Sequence, residues 1–124
     1  MNKKGVTLIE MLIVVAIIGI LAAIAVPAYL GQQKAAARTE AYSNLQNLRL
    51  LEEQFFAENG TYTAAAANVA AIQALLPGFR PGTGLNFNYA ITSTSSCFEA
   101  TATGTGGRVA GDVFTIDCNN NRNF

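Results

Sequence analysis

The sequence predicts an α+β fold: one long N-terminal α-helix, with a hydrophobic half and an amphipathic half, packed on a small antiparallel β-sheet. Three observations predict it. An apolar run from Val6 to Val26 is broken by a single charge, Glu10. Apolar residues then recur at three- and four-residue steps from Ala41 to Phe55, and the pattern stops at Asn59-Gly60. Beyond Pro77-Gly78 the chain changes to two-residue alternation with glycine- and asparagine-rich breaks.

The apolar run is about 21 residues, which as a helix spans roughly 30 Å, one bilayer core. Its Ile and Val content favours strand in water, but its length and its lack of turn signals favour a membrane helix. Exposing its dozen or so large aliphatic side chains to water costs on the order of 20–40 kcal/mol. The segment must therefore sit in a bilayer or be buried among copies of itself. Ala16, Gly19 and Ala23 permit close helix approach, with Gly19 and Ala23 at small-xxx-small spacing. Pro27 lacks an N–H and clashes with the carbonyl of Ala23, so a mild kink in a continuous helix is expected there. Lys3 and Lys4 lie nearer the segment than Lys34 and Arg38, which favours an N-terminus on the cytoplasmic side.

A secretory signal peptide is the competing reading. Lys3 and Lys4 would form its basic region, and Ala23-Ile24-Ala25 resembles a cleavage site. The apolar run is longer than the usual 7–15 residues or so of such a peptide, and the acid at its leading edge does not suit one. Glu10 itself has two readings. Thr7-Leu8-Ile9-Glu10 fits a capping box, in which Thr7 accepts from the Glu10 N–H and Glu10 reaches back to the Thr7 N–H. The other reading is a pairing role, because a carboxylate at the edge of a membrane-grade segment is costly unless something pairs with it.

From Ala28 to Glu58 the helix carries one apolar stripe of Ala41, Leu45, Leu48, Leu51 or Glu52, and Phe55. Phe55 and Phe56 are read as core anchors on or beside that stripe. Asn59-Gly60 is a helix stop, and the formal glycosylation sequon Asn59-Gly60-Thr61 is read as a turn. A short helix is expected within Ala65 to Leu76, ending at Pro77-Gly78. Leu85, Phe87, Tyr89 and Ile91 alternate with polar or small residues as a half-buried strand. Phe98, Ala100 and Ala102 suggest a second strand, Val113 to Cys118 a third, and Gly104 to Gly107 a loop or hairpin turn. The chain has two cysteines, Cys97 and Cys118. Downstream of a membrane or export segment, a disulfide in an oxidising compartment is the natural reading, with a free buried pair as the alternative. Such a bond closes a loop of about 20 residues, worth roughly 3 kcal/mol in the chain-entropy model.

Gly5-Val6-Thr7-Leu8-Ile9-Glu10, after a short Lys-bearing leader and before the apolar run to Pro27, resembles the N-terminus of type IV prepilins and the related pseudopilins. The resemblance covers about the first 30 residues. It implies the pilin fold and a cut between Gly5 and Val6 by a membrane prepilin peptidase, with N-methylation of the new Val6 amine. It also implies that Glu10 pairs with the N-terminal ammonium of a neighbouring subunit. The family usually carries phenylalanine just after the cut, where this chain has Val6. In resembling fibres the helix melts between the positions of Gly19 and Pro27 on assembly, and a C-terminal disulfide loop lies on the fibre surface.

The resulting division is a leader over 1–5, a transmembrane and polymerisation helix over 6–27, its amphipathic continuation over 28–59, and a globular head over 60–124. The implied function is a structural pilus subunit for adhesion, twitching motility or DNA uptake. It would sit in the inner membrane before assembly and in an extracellular fibre after it. Its implied partners are itself, the membrane, the prepilin peptidase, the assembly machinery and minor pilins. The alternatives are a pseudopilin of a type II secretion system and a secreted soluble binding protein. Formal net charge is zero and histidine is absent, so composition shows no nucleic-acid footprint and lacks the commonest general base. No enzyme activity or cofactor is expected. Asp112, Asp117, Asn119 and Asn120 are oxygen donors in one region, but their spacing is not a calcium-loop pattern, and no metal is assigned. Gly104-Thr105-Gly106-Gly107 lacks the lysine of a phosphate-binding loop. Thr92 to Ser96 reads as a polar loop, with surface glycans as its functional alternative.

Overall fold

The computed structural model describes residues 5–124; the leader residues Met1 to Lys4, including the basic pair expected to orient the chain, lie outside them. The chain divides into two compact units, Met1–Gln33 and Lys34–Phe124. Helix α1, Leu8–Asn59, is a single 52-residue helix that runs through Pro27 without a break. In the first unit the described side chains up to Gln32 are all exposed, and this part of the helix is long and apolar enough to cross a membrane.

The second unit has its own core. On α1 the buried positions are Ala37, Ala41, Leu45, Leu48 and Glu52, the three- and four-residue steps of one helix face. The predicted ambiguity between Leu51 and Glu52 resolves in favour of the acid. Glu52 is fully buried, because Thr63 donates to it from both its backbone N–H and its hydroxyl. Phe55 packs against the core as predicted, but Phe56 does not anchor it. Phe56 stays 37% exposed, with its ring 4.7 Å from that of Tyr62 at the surface.

Strands β1 (Phe87–Ser93), β2 (Phe98–Gly104) and β3 (Val113–Asp117) form an antiparallel sheet in the order β1-β2-β3. The registers pair Ile91 with Ala100 and Ala100 with Ile116, so one face of the sheet is apolar. Phe87, Tyr89, Ile91, Phe98, Ala100, Ala102 and Ile116 share one core cluster with the buried face of α1. The small residues of central strand β2 leave room for the larger ones on β1. Gly104 ends β2, where a Cβ would overlap the carbonyl of Val109. The Gly107–Val109 turn that follows is 3-10 helix.

Helix α2 is shorter than predicted, covering Val69–Leu75. Asn68 sets its start, because the Asn68 side chain accepts from the Ala71 N–H at 2.8 Å. The alanines ahead of it, despite their helix propensity, remain outside the helix. Ala66 exchanges two backbone hydrogen bonds with Ile91, at 2.8 and 2.7 Å, and so extends the sheet edge.

Candidate functional site

The chemistry of the first unit is concentrated at the entry to α1. The Thr7 N–H donates to Glu10 Oε2 at 2.9 Å, and the Glu10 N–H donates to Thr7 Oγ1 at 3.2 Å. This is the predicted capping box, and it satisfies two of the orphan donors of the first helical turn. Glu10 remains exposed, as do Gly5 and Val6, so the helix entry is open to an enzyme or a second chain. A Cβ placed at Gly5 or at Gly19 meets nothing within 4 Å. Neither glycine is therefore required by packing among the described residues.

The head is held by polar contacts that no local pattern announces. Arg38 grips Asp112 with two hydrogen bonds, Nε to Oδ2 at 2.8 Å and Nη2 to Oδ1 at 3.1 Å. The Arg38 hydrogen bond is the main cause that holds the Asp112 carboxyl below the usual carboxylate range. Glu40 accepts from the Asn86 N–H at 3.1 Å and from the Tyr89 hydroxyl at 2.9 Å, while the Asn44 amide donates to that hydroxyl at 2.9 Å. Burial is the main cause that pushes the Tyr89 phenol well above its ordinary value, so it stays a hydroxyl donor to Glu40. The residue pairs are 45 to 74 positions apart, beyond the reach of periodicity.

The disulfide between Cys97 and Cys118 is formed, with Cα atoms 5.4 Å apart. Its cysteines stand just before β2 and just after β3, and the Cys118 N–H donates to the Phe98 carbonyl at 3.2 Å. Asp117 organises the segment that follows. Its carboxylate accepts from the Asn119 and Asn121 N–H groups at 2.9 Å each, and the Asn121 backbone bond is the main cause that lowers its pKa. The acids weighed as calcium donors are thus engaged in separate protein contacts, Asp112 with Arg38 and Asp117 with its own turn. At the C-terminus Phe124 stacks on Tyr42 with ring centroids 4.8 Å apart, and Arg122 lies 5.4 Å from the Phe124 ring centre.

An exposed, apolar helix long enough to cross a membrane, joined in sequence to a disulfide-tied α+β head, fits the class of membrane-anchored subunits. The comparisons with known proteins give the family. The family model described as "Type IV minor pilin ComP, DNA uptake sequence receptor" matches residues 27–122. The model described as "Prokaryotic N-terminal methylation motif" matches residues 1–26. The chain belongs to the type IV pilin family. It is 39% identical over 95 residues to the type IV wide pilus major component PilA4 of Thermus thermophilus, covering 77% of this chain and 68% of that protein. It is 37% identical over 98 residues to the type IV major pilin protein PilA of Myxococcus xanthus, covering 79% of this chain but 41% of that protein. The type II secretion system core protein G of Pectobacterium carotovorum is 29% identical over 71 residues, covering 57% of this chain and 46% of that protein. The chain thus spans less than half the length of several of the relatives it matches. No solved structure matches it.

Proposed function

We propose that the chain is a structural subunit of a type IV pilus that polymerises through the exposed half of α1. The observation that carries the proposal is the uncovered apolar helix in a chain of this family: an aqueous monomer would leave Leu12, Ile17, Leu21 and Ile24 exposed to water. In this reading a membrane prepilin peptidase cuts between Gly5 and Val6, the Val6 amine is methylated, and the subunit waits in the inner membrane with its head outside the cytoplasm. Assembly then exchanges lipid contacts for helix–helix contacts, helped by the bare surface at Gly19. The residues fall into a leader over 1–5, a polymerisation helix over 6–27, its continuation over 28–59 and a head over 60–124, with α1 losing helicity between Gly19 and Pro27 as the fibre forms.

Cleavage changes the electrostatics of the helix entry. It removes Lys3 and Lys4 and leaves a positive amine four residues before Glu10. The exposed Glu10 carboxylate already has the geometry of a cap, and it can exchange the Thr7 N–H for the ammonium of a neighbouring Val6. A paired charge is tolerable in an apolar fibre core, whereas an unpaired one costs several kcal/mol. The partners this implies are further copies of the chain, the prepilin peptidase, the assembly machinery and minor pilins.

The matching family model is described as a DNA uptake sequence receptor. That description supports DNA capture by the fibre as a role beside adhesion and twitching movement. A pseudopilin role is the second reading, favoured by the likeness to the secretion core protein G.

Three variants test the proposal. Glu10→Ala should enter the membrane normally and fail to build fibres, while Thr7→Ala, which removes the cap but keeps the charge, should still assemble. Wild-type fibre yield from Glu10→Ala would exclude the pairing role. Gly5→Phe should leave the leader attached, and a normal mature mass for that variant would exclude the cut site.

A further inference from the structure

The head contains charges of both signs that its own contacts leave unmatched. Among the described residues, Glu99 is the one carboxylate side chain that accepts no hydrogen bond; the others have partners such as Thr7 for Glu10 or Thr63 for Glu52. Glu99 is exposed, and the β2–β3 register places it directly opposite Asp117. Two carboxylates at paired positions repel each other. Asp117 remains ionised because of its three bonds from Asn119 and Asn121. Glu99 and Asp117 line one open recess of about 300 Å³ together with Thr92 and Thr94.

A separate cleft of about 260 Å³ has the opposite sign. It is lined by Arg49 and Arg122 together with Gln46, Leu50, Ile116 and Asn120. The Arg49 Nε is buried and has no hydrogen-bond partner among the described residues. Arg122 rests on the Phe124 ring, and among the described residues the one ion pair is Arg38 with Asp112. A buried guanidinium N–H without an acceptor carries a desolvation cost that an incoming carboxylate relieves. Two forked donors beside two side-chain amides suit a carboxylate well.

We propose that the Arg49–Arg122 cleft of one subunit receives the Glu99 carboxylate of a second copy of this chain, as a contact between heads in the fibre. The proposal rests on the pilus-subunit reading. The occupant follows from charge complementarity within one head: the acidic recess and the basic cleft share no lining residue and each lacks an internal counter-charge. A contact between two different patches of identical chains is heterologous, and where its rotation does not close a ring it repeats along a filament. The charges would fix the register of the heads, while the apolar helices supply the bulk of the burial.

A charge exchange in the full-length chain tests this. Glu99 and Arg122 are both exposed, so neither substitution disturbs the core. Glu99→Arg alone and Arg122→Glu alone should each lower the yield of sheared fibres about tenfold or more. Arg49→Gln should lower it less. The double variant Glu99→Arg/Arg122→Glu should restore the yield, with the head protease-resistant and the disulfide intact throughout. Unchanged yield from either single variant, or no recovery in the double variant, would overturn the contact. Unchanged fibres combined with lost DNA retention in Arg49→Gln and Arg122→Glu would overturn it and assign the cleft to nucleic acid. Absence of fibres from the unaltered chain would overturn the pilus reading and the contact together; fibres indifferent to the variants would overturn the contact alone.

Discussion

The two halves of α1 have the same secondary structure and opposite energetics. From Leu8 to Gln32 the described side chains of the helix, mostly apolar, are exposed. From Ala37 to Glu52 it sinks one stripe into a core and fixes its flanks with Arg38, Glu40 and Asn44. The back half is stabilised by tertiary packing, as most helices are in globular proteins. The front half is stabilised by whatever solvent or partner receives it. Helicity by itself therefore says nothing about whether a segment belongs to the fold or to the assembly; the arrangement of apolar residues around the axis does.

The sharpest way to break this contrast is a matched pair of truncations. Leu48→Ala should destabilise the head by about 2–5 kcal/mol, because a fully buried side chain leaves a cavity. Leu21→Ala should leave head unfolding within about 0.5 kcal/mol of the unaltered protein. Denaturant unfolding followed by the near-ultraviolet signal of the head aromatics measures both, and an equal loss from the two variants would abolish the distinction.

Opening the disulfide is the next largest change expected. Cys97→Ala/Cys118→Ala should cost about 3 kcal/mol, since the bond closes a loop with a sequence separation of 21. The same unfolding experiment reads it. Replacing the buried acid should cost less: Glu52→Ala strands the Thr63 N–H, a loss of about 1–3 kcal/mol. An unchanged midpoint for Glu52→Ala would mean that the Thr63 contacts contribute nothing.

The smallest effect is the acid dependence of the Arg38–Asp112 pair. Arg38 lowers the Asp112 pKa in the folded head, so the unfolded carboxyl takes up its proton first as pH falls. The stabilisation is present in full above the unfolded pKa of about 4, and fades as pH drops through the lower folded value. Asp112→Asn should flatten the acid limb of the stability profile in that window and leave neutral-pH stability only slightly reduced, because the pair is partly exposed. An unaltered acid limb would show that other carboxylates govern it.

What the sequence discloses follows the range of the forces involved. The helix stripe, the strand alternation and the capping box act within a few residues, and all three were legible. Glu52 sat on the predicted stripe, but only a partner 11 residues away explains its burial. Phe56 adjoins the same stripe, yet its angular position leaves it stacked on Tyr62 at the surface rather than inside. The alanine run before α2 looked helical because alanine favours helix, and the Ala66–Ile91 pairing overrode that preference. Arg38 with Asp112, and the unmatched Glu99 and Arg49, are consequences of tertiary proximity, and no local spacing encodes them. At the helix entry the reverse holds. The roles proposed for Gly5, Val6 and Glu10 rest on a linear sequence pattern rather than on a folded arrangement.

The most direct test of the pilus-subunit account is intact-mass and peptide mass spectrometry of filaments sheared from cells. The account predicts that this chain is a filament component, begins at a methylated Val6 and carries the Cys97–Cys118 bond. Filaments lacking the chain, or a mature chain that begins after Ala25 or retains Met1 to Gly5, would contradict it.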